Sequence, residues 1–376
     1  MLASGRTLRG LAVAVAAGAL ALALSAGSAA AHPFGFGGSG AVYTSTNSAT
    51  NNAVLAFERS PHGTLRPAGS FPTGGTGTGG GLGNQGAVVL DDRRNRLFVV
   101  NAGSDQLTSF DVGRHGVRRL DLESSGGDRP ISLTAHGNLL YVLNAGSDQI
   151  AGFRVDHGGE LRPLPGSIRS LSGTGTDPAQ IEFSPNGGLL VVTEKATNRI
   201  DTFRVGLDGR PGELISQPSA GETPFGFAFD KRGHLIVSEA FGGAPNASVL
   251  SSYGIAGNGA IGAISPLVRT EQTAACWVVV TDNGRFAYTT NTGSGSISSY
   301  DVDRDGSISL LESVGADTGI GSAPTDLALS EHSRELFVLN SGARTVGAYR
   351  VRGDGGLVSV DTAGGLPAGA TGLAAD

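Results

Sequence analysis

Cysteine is almost absent from this chain, which has one in 376 residues, so no internal disulfide can form. Charged residues make up only 16% of the sequence, and no basic run stands among them. The lack of a basic run argues against a nucleic-acid partner or an anionic membrane. After residue 31 no stretch shows the 3.6-residue periodicity of an amphipathic helix. These absences leave burial, ring closure or bound ions to stabilise a fold without helices.

The common catalytic motifs are also missing. The chain has no GxSxG elbow, no HExxH, no paired CxxC and no P-loop, which excludes the hydrolases and nucleotide enzymes that depend on them. The segment 301–306 resembles the start of a calcium loop, but it lacks the glutamate at position twelve. We therefore predict no metal ligands and no cofactor, with a structural divalent cation in a central channel as the one exception to test.

Residues 1–31 have the pattern of a secretory signal peptide. Arg6 and Arg9 precede an apolar run over 11–24, and small residues lead up to a cleavage site before His32. A retained membrane anchor is the alternative interpretation. Removing both arginines leaves 25 basic and 33 acidic residues, a net charge of −8. We expect a secreted, extracellular protein that has no membrane contact after cleavage.

A repeated motif runs through the rest of the chain. Five close copies read LFVVNAGSDQLTSFDV (97–112), LLYVLNAGSDQIAGFRV (139–155), LLVVTEKATNRIDTFRV (189–205), RFAYTTNTGSGSISSYDV (285–302) and ELFVLNSGARTVGAYRV (335–351). Looser copies at 41–59 and 234–255 make seven. The residues that close the first half of six copies are spaced 43, 50, 45, 52 and 49 residues apart. This period is typical of a four-stranded propeller blade.

Each unit divides into four short β runs separated by turn residues such as Asn-Gly and Asp-Gly. The C-terminal segment 369–375 matches a first strand, and 41–46 is a second strand without a first. We predict that these two segments pair and close the ring. The predicted organisation is a signal peptide (1–31), a glycine-rich lead-in (32–40) and a single seven-bladed β-propeller (41–376). The glycine-rich stretch 74–83 is expected to be a mobile loop.

Strand order sorts the loops onto two faces. The connections after second and fourth strands share one face, where propeller sites usually lie, and the other turns share the opposite face. No histidine falls on the first face by this reasoning, so a histidine general base is not expected there. The second strands instead end in acidic or amide residues, which are Asn101, Asn144, Glu194, Glu239, Asn291 and Asn340.

Glu194 and Glu239 are the catalytic candidates, because a glutamate in a confined channel can act as an acid or base. The competing interpretation is that this position caps a strand-to-strand turn. The candidate substrate-binding residues on the same face are Arg129, Lys195, Arg199, Asn144 and Asn291. The cations among them would neutralise an anionic ligand.

Two segments resemble a known family. FSPNGGLLVVTEKATNRIDTFRV (183–205) and VTDNGRFAYTTNTGSGSISSYDVD (280–303) are similar to repeats of seven-bladed propeller lactonases, a group with bacterial 6-phosphogluconolactonases and fungal carboxymuconate-lactonizing enzymes. The repeats also resemble surface-exposed YVTN-type propellers. The resemblance implies a family glutamate at Glu194. The family's Pro-His pair has no match, because the histidine is missing after Pro130, Pro178, Pro224 and Pro324.

Two functions therefore stay open. One is a secreted lactonase-like enzyme acting on a small lactone or its hydroxy acid, by hydrolysis or reverse cyclisation. The other is a non-catalytic extracellular propeller that recognises a sugar, peptide or protein. In either case we expect a small-molecule ligand such as a lactone or sugar acid, and a monomer, since ring closure needs no second subunit.

Overall fold

The computed structural model describes residues 40–376, except Asp92, Arg94, Arg114 and His115. The predicted signal peptide (1–31) and residues 32–39 of the predicted lead-in lie outside the described residues. The described part forms seven antiparallel sheets whose first strands contact one another in sequence around a closed ring. The predicted all-β, seven-bladed propeller is confirmed.

The first three blades hold strands of two to nine residues. Blade 1 contains β1 (Ala41–Ser45), β2 (Ala53–Arg59) and β3 (Leu65–Pro72). Blade 2 contains β4 (Val88–Asp91), β5 (Arg96–Asn101), β6 (Gln106–Gly113) and β7 (Gly116–Ser124). Blade 3 contains β8 (Pro130–His136), β9 (Leu139–Asn144), β10 (Gln149–Val155), β11 (Leu161–Pro163) and β12 (Arg169–Ser170). Because β11 and β12 both pair with β10, the outer strand of blade 3 is split in two.

The remaining blades are regular. Blade 4 contains β13 (Pro178–Phe183), β14 (Leu189–Glu194), β15 (Arg199–Val205) and β16 (Pro211–Pro218), and blade 5 contains β17 (Pro224–Phe229), β18 (Leu235–Glu239), β19 (Val249–Ile255) and β20 (Ile261–Arg269). Blade 6 contains β21 (Ala275–Val280), β22 (Phe286–Asn291), β23 (Ser296–Val302) and β24 (Ile308–Asp317). Blade 7 contains β25 (Pro324–Leu329), β26 (Glu335–Asn340), β27 (Thr345–Val351) and β28 (Leu357–Gly364). Short 3₁₀ turns occur at Phe241–Gly243 and Glu331–Ser333.

The C-terminal strand closes the ring, as the sequence predicts. β29 (Thr371–Ala375) is antiparallel to β1, with Tyr43 opposite Ala374 and Thr44 opposite Leu373. It supplies the first strand that blade 1 lacks. Pairing the two ends of the chain within one sheet leaves no open blade edge at the junction.

Burial explains the composition of the strands. The second strands β14, β22 and β26 are buried at every residue, since both faces of a blade pack against neighbouring blades. They therefore read as nearly continuous apolar runs. The outer strands, such as β16, are only partly buried. We call the face with the second-to-third-strand loops and the blade crossings the mouth face, and the opposite face the hairpin face.

On the hairpin face, the turns before the fourth strands of blades 4 and 5 dock on the preceding blade. The Tyr141 hydroxyl donates to Gly209 O at 2.6 Å, and Thr202 Oγ1 donates to Gly259 O at 2.8 Å. Gly209 has φ of +84°, and a Cβ there would lie 2.7 Å from a Leu139 methyl group. Glycine fits both the left-handed backbone and the close approach.

Backbone hydrogen bonds join the first half of the glycine-rich loop to residues 47–48. Gly77 N and Gly79 N donate to the carbonyls of Ser48 and Asn47, at 2.7 Å each. Beyond it, Asn84 and Gln85 are buried across the central channel. Gln85 pairs with Val278 of blade 6 through both its amide nitrogen and oxygen, at 2.8 and 3.1 Å. This crossing segment forms a plug in the channel.

Candidate functional site

The second-strand ends do not face the channel. Glu194 and Glu239 are completely buried in the seams between blades, because a residue on these strands points toward a sheet face, and each sheet face packs on the next blade. Asn144 and Asn291 are buried in the same way. The structure thus places these four predicted site residues away from the position expected for them.

Glu194 forms part of a pair of carboxyl groups. The Ser172 N–H lies 2.9 Å from Glu194 Oε1 and 3.1 Å from Asp201 Oδ2, and the hydroxyl groups of Ser172 and Thr197 donate to Glu194 Oε2. Burial, together with the neighbouring Glu194, raises the pKa of Asp201 to about 8. Asp201 Oδ1 has no conventional donor, which fits a proton shared between the two carboxyl groups.

Glu239 is surrounded by donors. Ser219 Oγ, Gly221 N and the Tyr253 hydroxyl donate to its Oε1 at 2.7, 3.0 and 2.9 Å, and Ser251 Oγ donates to Oε2 at 2.6 Å. Burial raises its pKa, and these donors oppose the shift. All four bonds come from the protein, so the carboxylate is used to hold the fold together.

The same position joins blades elsewhere in the ring. The Thr73 hydroxyl, which follows the fourth strand of blade 1, donates to Asn101 Oδ1 of blade 2 at 2.7 Å. Asn144 Nδ2 donates to the Ser125 carbonyl at 3.2 Å. Asn291 bonds Ser296 and Ser298 within its own blade. At these three positions the terminal residue of the second strand therefore has a structural role: Asn101 and Asn144 bond to the preceding blade, and Asn291 bonds to the strand that follows it.

Lys195 lies at the mouth of the channel, one residue beyond Glu194. Its Nζ donates to Gly83 O at 2.7 Å and Pro178 O at 3.2 Å, and lies 3.4 Å from Asp177 Oδ1. Its side chain is only 9% exposed. Burial lowers its pKa, and the Asp177 carboxylate opposes that shift. The ammonium group also stands 4.8 Å from the centre of the Phe225 ring.

Arg129 and Asp177 stand on the rim beside it. Both are exposed, and both precede the proline that opens a first strand, with φ of +52° and +46°. A left-handed backbone before proline is uncommon for such residues. The charge of Arg129 acts on Lys195 and lowers its pKa. Of the predicted binding residues, the structure therefore brings Arg129 and Lys195 together.

An apolar wall completes the mouth. The Phe225 and Trp277 rings lie 4.9 Å apart, and the Trp277 indole N–H donates to Asn84 O of the plug at 2.6 Å. Burial raises the pKa of the Cys276 thiol to about 12, so it is held neutral. Phe225 and Trp277 are both buried, so they pack beneath Lys195 and the plug.

A family model described as lactonase, 7-bladed β-propeller matches residues 87–240 and 250–367. The chain belongs to this lactonase family. Its function is accordingly lactonase-like at the level of the family. No curated protein sequence matches the chain.

Solved structures share the fold of this lactonase-family propeller at low identity. A Bacteroides uniformis protein described as a candidate 6-phosphogluconolactonase is 16% identical, with a TM-score of 0.69 over 88% of this chain and 98% of that one. The periplasmic gluconolactonase of Pseudomonas aeruginosa is 16% identical, with a TM-score of 0.67 over 88% and 98%. A Lactobacillus plantarum protein is 15% identical, with a TM-score of 0.74 over 90% and 99%.

Arg199 lies apart from the mouth of this lactonase-family chain. Its guanidinium donates to Ser216 Oγ and Ser216 O at 2.6 and 2.8 Å. It lines a shallow cleft with Ser172 and Thr197. The described histidines lie at the hairpin face, as expected; they are His62, His136, His157, His234 and His332.

Two carboxyl groups lie deeper along the first strands. Burial raises the pKa of Glu182 to about 8, and it raises that of Asp326 well above its ordinary value. Within residues 40–376 as described, no group of three or more His, Cys, Asp or Glu side chains is placed to hold a metal ion. None of the helices described is long and apolar enough to cross a membrane.

Sequence reasoning placed Asp177 among the blade crossings on this face without making it a site residue, and it did not single out Phe225 or Trp277. The three residues come from blades 4, 5 and 6, so no local pattern joins them. The available signal for Asp177 was its place before a first-strand proline, a position with positive φ in the four blades that have such a proline.

Proposed function

We propose that the chain acts on a small lactone, or on the corresponding hydroxy acid, at the channel mouth. The observation that carries this proposal is the arrangement of Lys195: a nearly buried ammonium group, fixed by two carbonyls, 3.4 Å from the exposed Asp177. Family membership supports the class of reaction, and the geometry around Lys195 supports the location of the site at the channel mouth.

In the hydrolytic direction, Asp177 accepts a proton from water as the water oxygen attacks the lactone carbonyl carbon. Lys195 stabilises the negative charge that develops on the carbonyl oxygen. The ring C–O bond then breaks, and the ring oxygen takes the proton to give a hydroxy acid. Arg129 binds a carboxylate or another acidic substituent of the substrate.

Replacing these groups tests the proposal. We expect Lys195→Met and Asp177→Asn each to lower lactone hydrolysis roughly 100-fold. Glu222→Gln, which changes an exposed acid on the same face, is expected to retain activity. The measurement is proton release in a pH-stat with a panel of lactones. Loss of activity in Glu194→Gln, with full activity in Asp177→Asn, would instead make the buried glutamate the base.

The alternative is a binding propeller without catalysis. Glu194 and Glu239 bond to donors within the protein, and no family histidine stands at the rim. Both observations favour recognition of a sugar acid at Lys195 and Arg129. Saturable binding of a sugar acid, lost in Lys195→Met and accompanied by no lactone turnover, would establish this second function.

The site of action is proposed to be outside the cytoplasm, with the protein as a monomer. The signal-like residues 1–31 support export, and the Pseudomonas aeruginosa relative is described as periplasmic. We expect expression in a bacterial host to yield a processed form beginning at His32 outside the cytoplasm. N-terminal sequencing of each cell fraction checks this, and an unprocessed cytoplasmic protein would refute it.

A further inference from the structure

A second cleft lies on the hairpin face, between blades 4 and 5. Its volume is about 410 Å³. One wall is the turn of residues 184–188 together with Arg204 at the end of β15, and the other is the 231–233 turn with the 255–259 hairpin. The cleft is therefore separated from the channel mouth by the length of the blades.

The charged side chains that line this cleft in the described structure are all basic. They are Arg204, Lys231 and Arg232, and each is exposed. Arg232 lies 3.6 Å from the carboxylate of Asp230, which also bonds the His234 ring at 2.9 Å. Within the described residues, Arg204 and Lys231 have no acidic partner within 4 Å. The cleft thus concentrates positive charge on a chain whose net charge is −6.

The other seams provide an internal comparison. At the equivalent positions, blades 5 and 6 bring together Gly254 and Asp282, and blades 6 and 7 bring together Asp301 and Glu331. In blade 3, Arg154 matches Arg204, but its guanidinium donates to Asp208 O at 2.7 Å. The repeat alone therefore does not produce a basic cleft, since the three seams compared lack this pair of cations.

The cleft is built on fixed backbone. Asp230 Oδ1 accepts from Arg232 N and His234 N at 2.8 and 2.9 Å, which holds the turn that carries Lys231. Across the cleft, the Thr202 hydroxyl bonds Gly259 O at 2.8 Å and fixes the hairpin on blade 4. Because the walls are set before binding, little ordering is needed when a ligand enters.

We infer that this cleft binds a small multivalent oxyanion, such as a phosphate or polyphosphate group. Arginine forms paired hydrogen bonds with oxyanions, and lysine adds a compact positive charge. Arg204 and Lys231 are therefore the two residues that bind the oxyanion. The volume suits a small molecule. The inference is independent of the proposed lactone chemistry on the mouth face.

Isothermal titration of the mature protein with inorganic pyrophosphate, at constant ionic strength, tests the inference. We expect saturable binding with one site per chain, weakened at least tenfold in Arg204→Gln and in Lys231→Gln. Arg154→Gln removes the same charge from the matched position of blade 3 and is expected to bind as the wild type does. Inorganic phosphate and citrate, titrated in parallel, distinguish a phosphate preference from general anion binding.

Absence of saturable binding would overturn the inference. So would an equal loss of affinity in Arg154→Gln and Arg204→Gln, because binding would then reflect overall charge. Thermal unfolding of each variant shows that the fold is retained. Lactone hydrolysis is expected to be unaffected by pyrophosphate, so failure of this site and failure of the proposed function give different results.

Discussion

Asp201→Asn is expected to unfold at a higher temperature than the wild-type protein at about pH 9, with a smaller difference at about pH 5. Asp201 and Glu194 share one buried site between blades 3 and 4, and two charges there repel each other. An asparagine carries no charge. Its amide donates permanently to Glu194 in place of the shared proton.

The direction of this stability difference follows from proton binding. The pKa of Asp201 is about 8 in the folded protein, above its ordinary value of 3.8. Between these values the folded state holds a proton that the unfolded state has lost, so stability falls as pH rises. The stabilisation that this proton gives the folded wild-type protein is complete below about pH 4 and lost above about pH 8. We expect Asp201→Asn to gain stability relative to wild type across this window, by up to about 6 kcal/mol.

Thermal unfolding at several pH values, followed by circular dichroism, measures the effect. Asp305→Asn is the control, because Asp305 is exposed and its pKa is lowered by its bonds to Ser307. The melting temperature of Asp305→Asn should change between pH 5 and pH 9 by the same amount as that of the wild type. An Asp201→Asn protein whose melting temperature falls with pH as steeply as that of the wild type would contradict the shared proton.

The sequence was sufficient to predict the blades and their closure. Turn residues and continuous apolar second strands are local signals, and the match of 369–375 to a first strand predicted the pairing of β29 with β1. The path of Asn84 and Gln85 across the channel was not predictable in this way. Their partners Ile131, Ala179 and Val278 belong to three other blades.

The candidate site was predicted only in part. Arg129 and Lys195 both lie at the mouth, but the side chains of Glu194 and Glu239 point into the seams. A signal for this was present in the sequence, since a serine or threonine follows the fourth strand of most blades. Ser219 occupies that position in blade 4, and Ser172 lies one residue beyond it in blade 3; each donates to one of the two glutamates. Recognising such a bond requires knowing which blades are adjacent, and that is a property of the closed ring.

Glu239→Gln is expected to be one of the most damaging single changes in the fold, at a cost of roughly 3 kcal/mol. The four groups around Glu239 all donate in the wild-type arrangement. A glutamine places its own N–H groups against some of them. The Gly221 N–H cannot turn away, and Ser251 Oγ already accepts from Leu267 N at 3.0 Å.

The matched comparison is Glu194→Gln at the same strand position one blade earlier. There the neighbour is Asp201, a carboxyl group, so the new amide replaces the shared proton and gains an acceptor. We therefore expect urea unfolding to show a large loss of stability for Glu239→Gln and a small one for Glu194→Gln. Equal losses would mean that burial alone, rather than the balance of donors and acceptors, sets the cost at this position. The two glutamates thus occupy equivalent places in the repeat and both accept from donors, but only Glu194 has a carboxyl neighbour, so only Glu239 must remain a carboxylate.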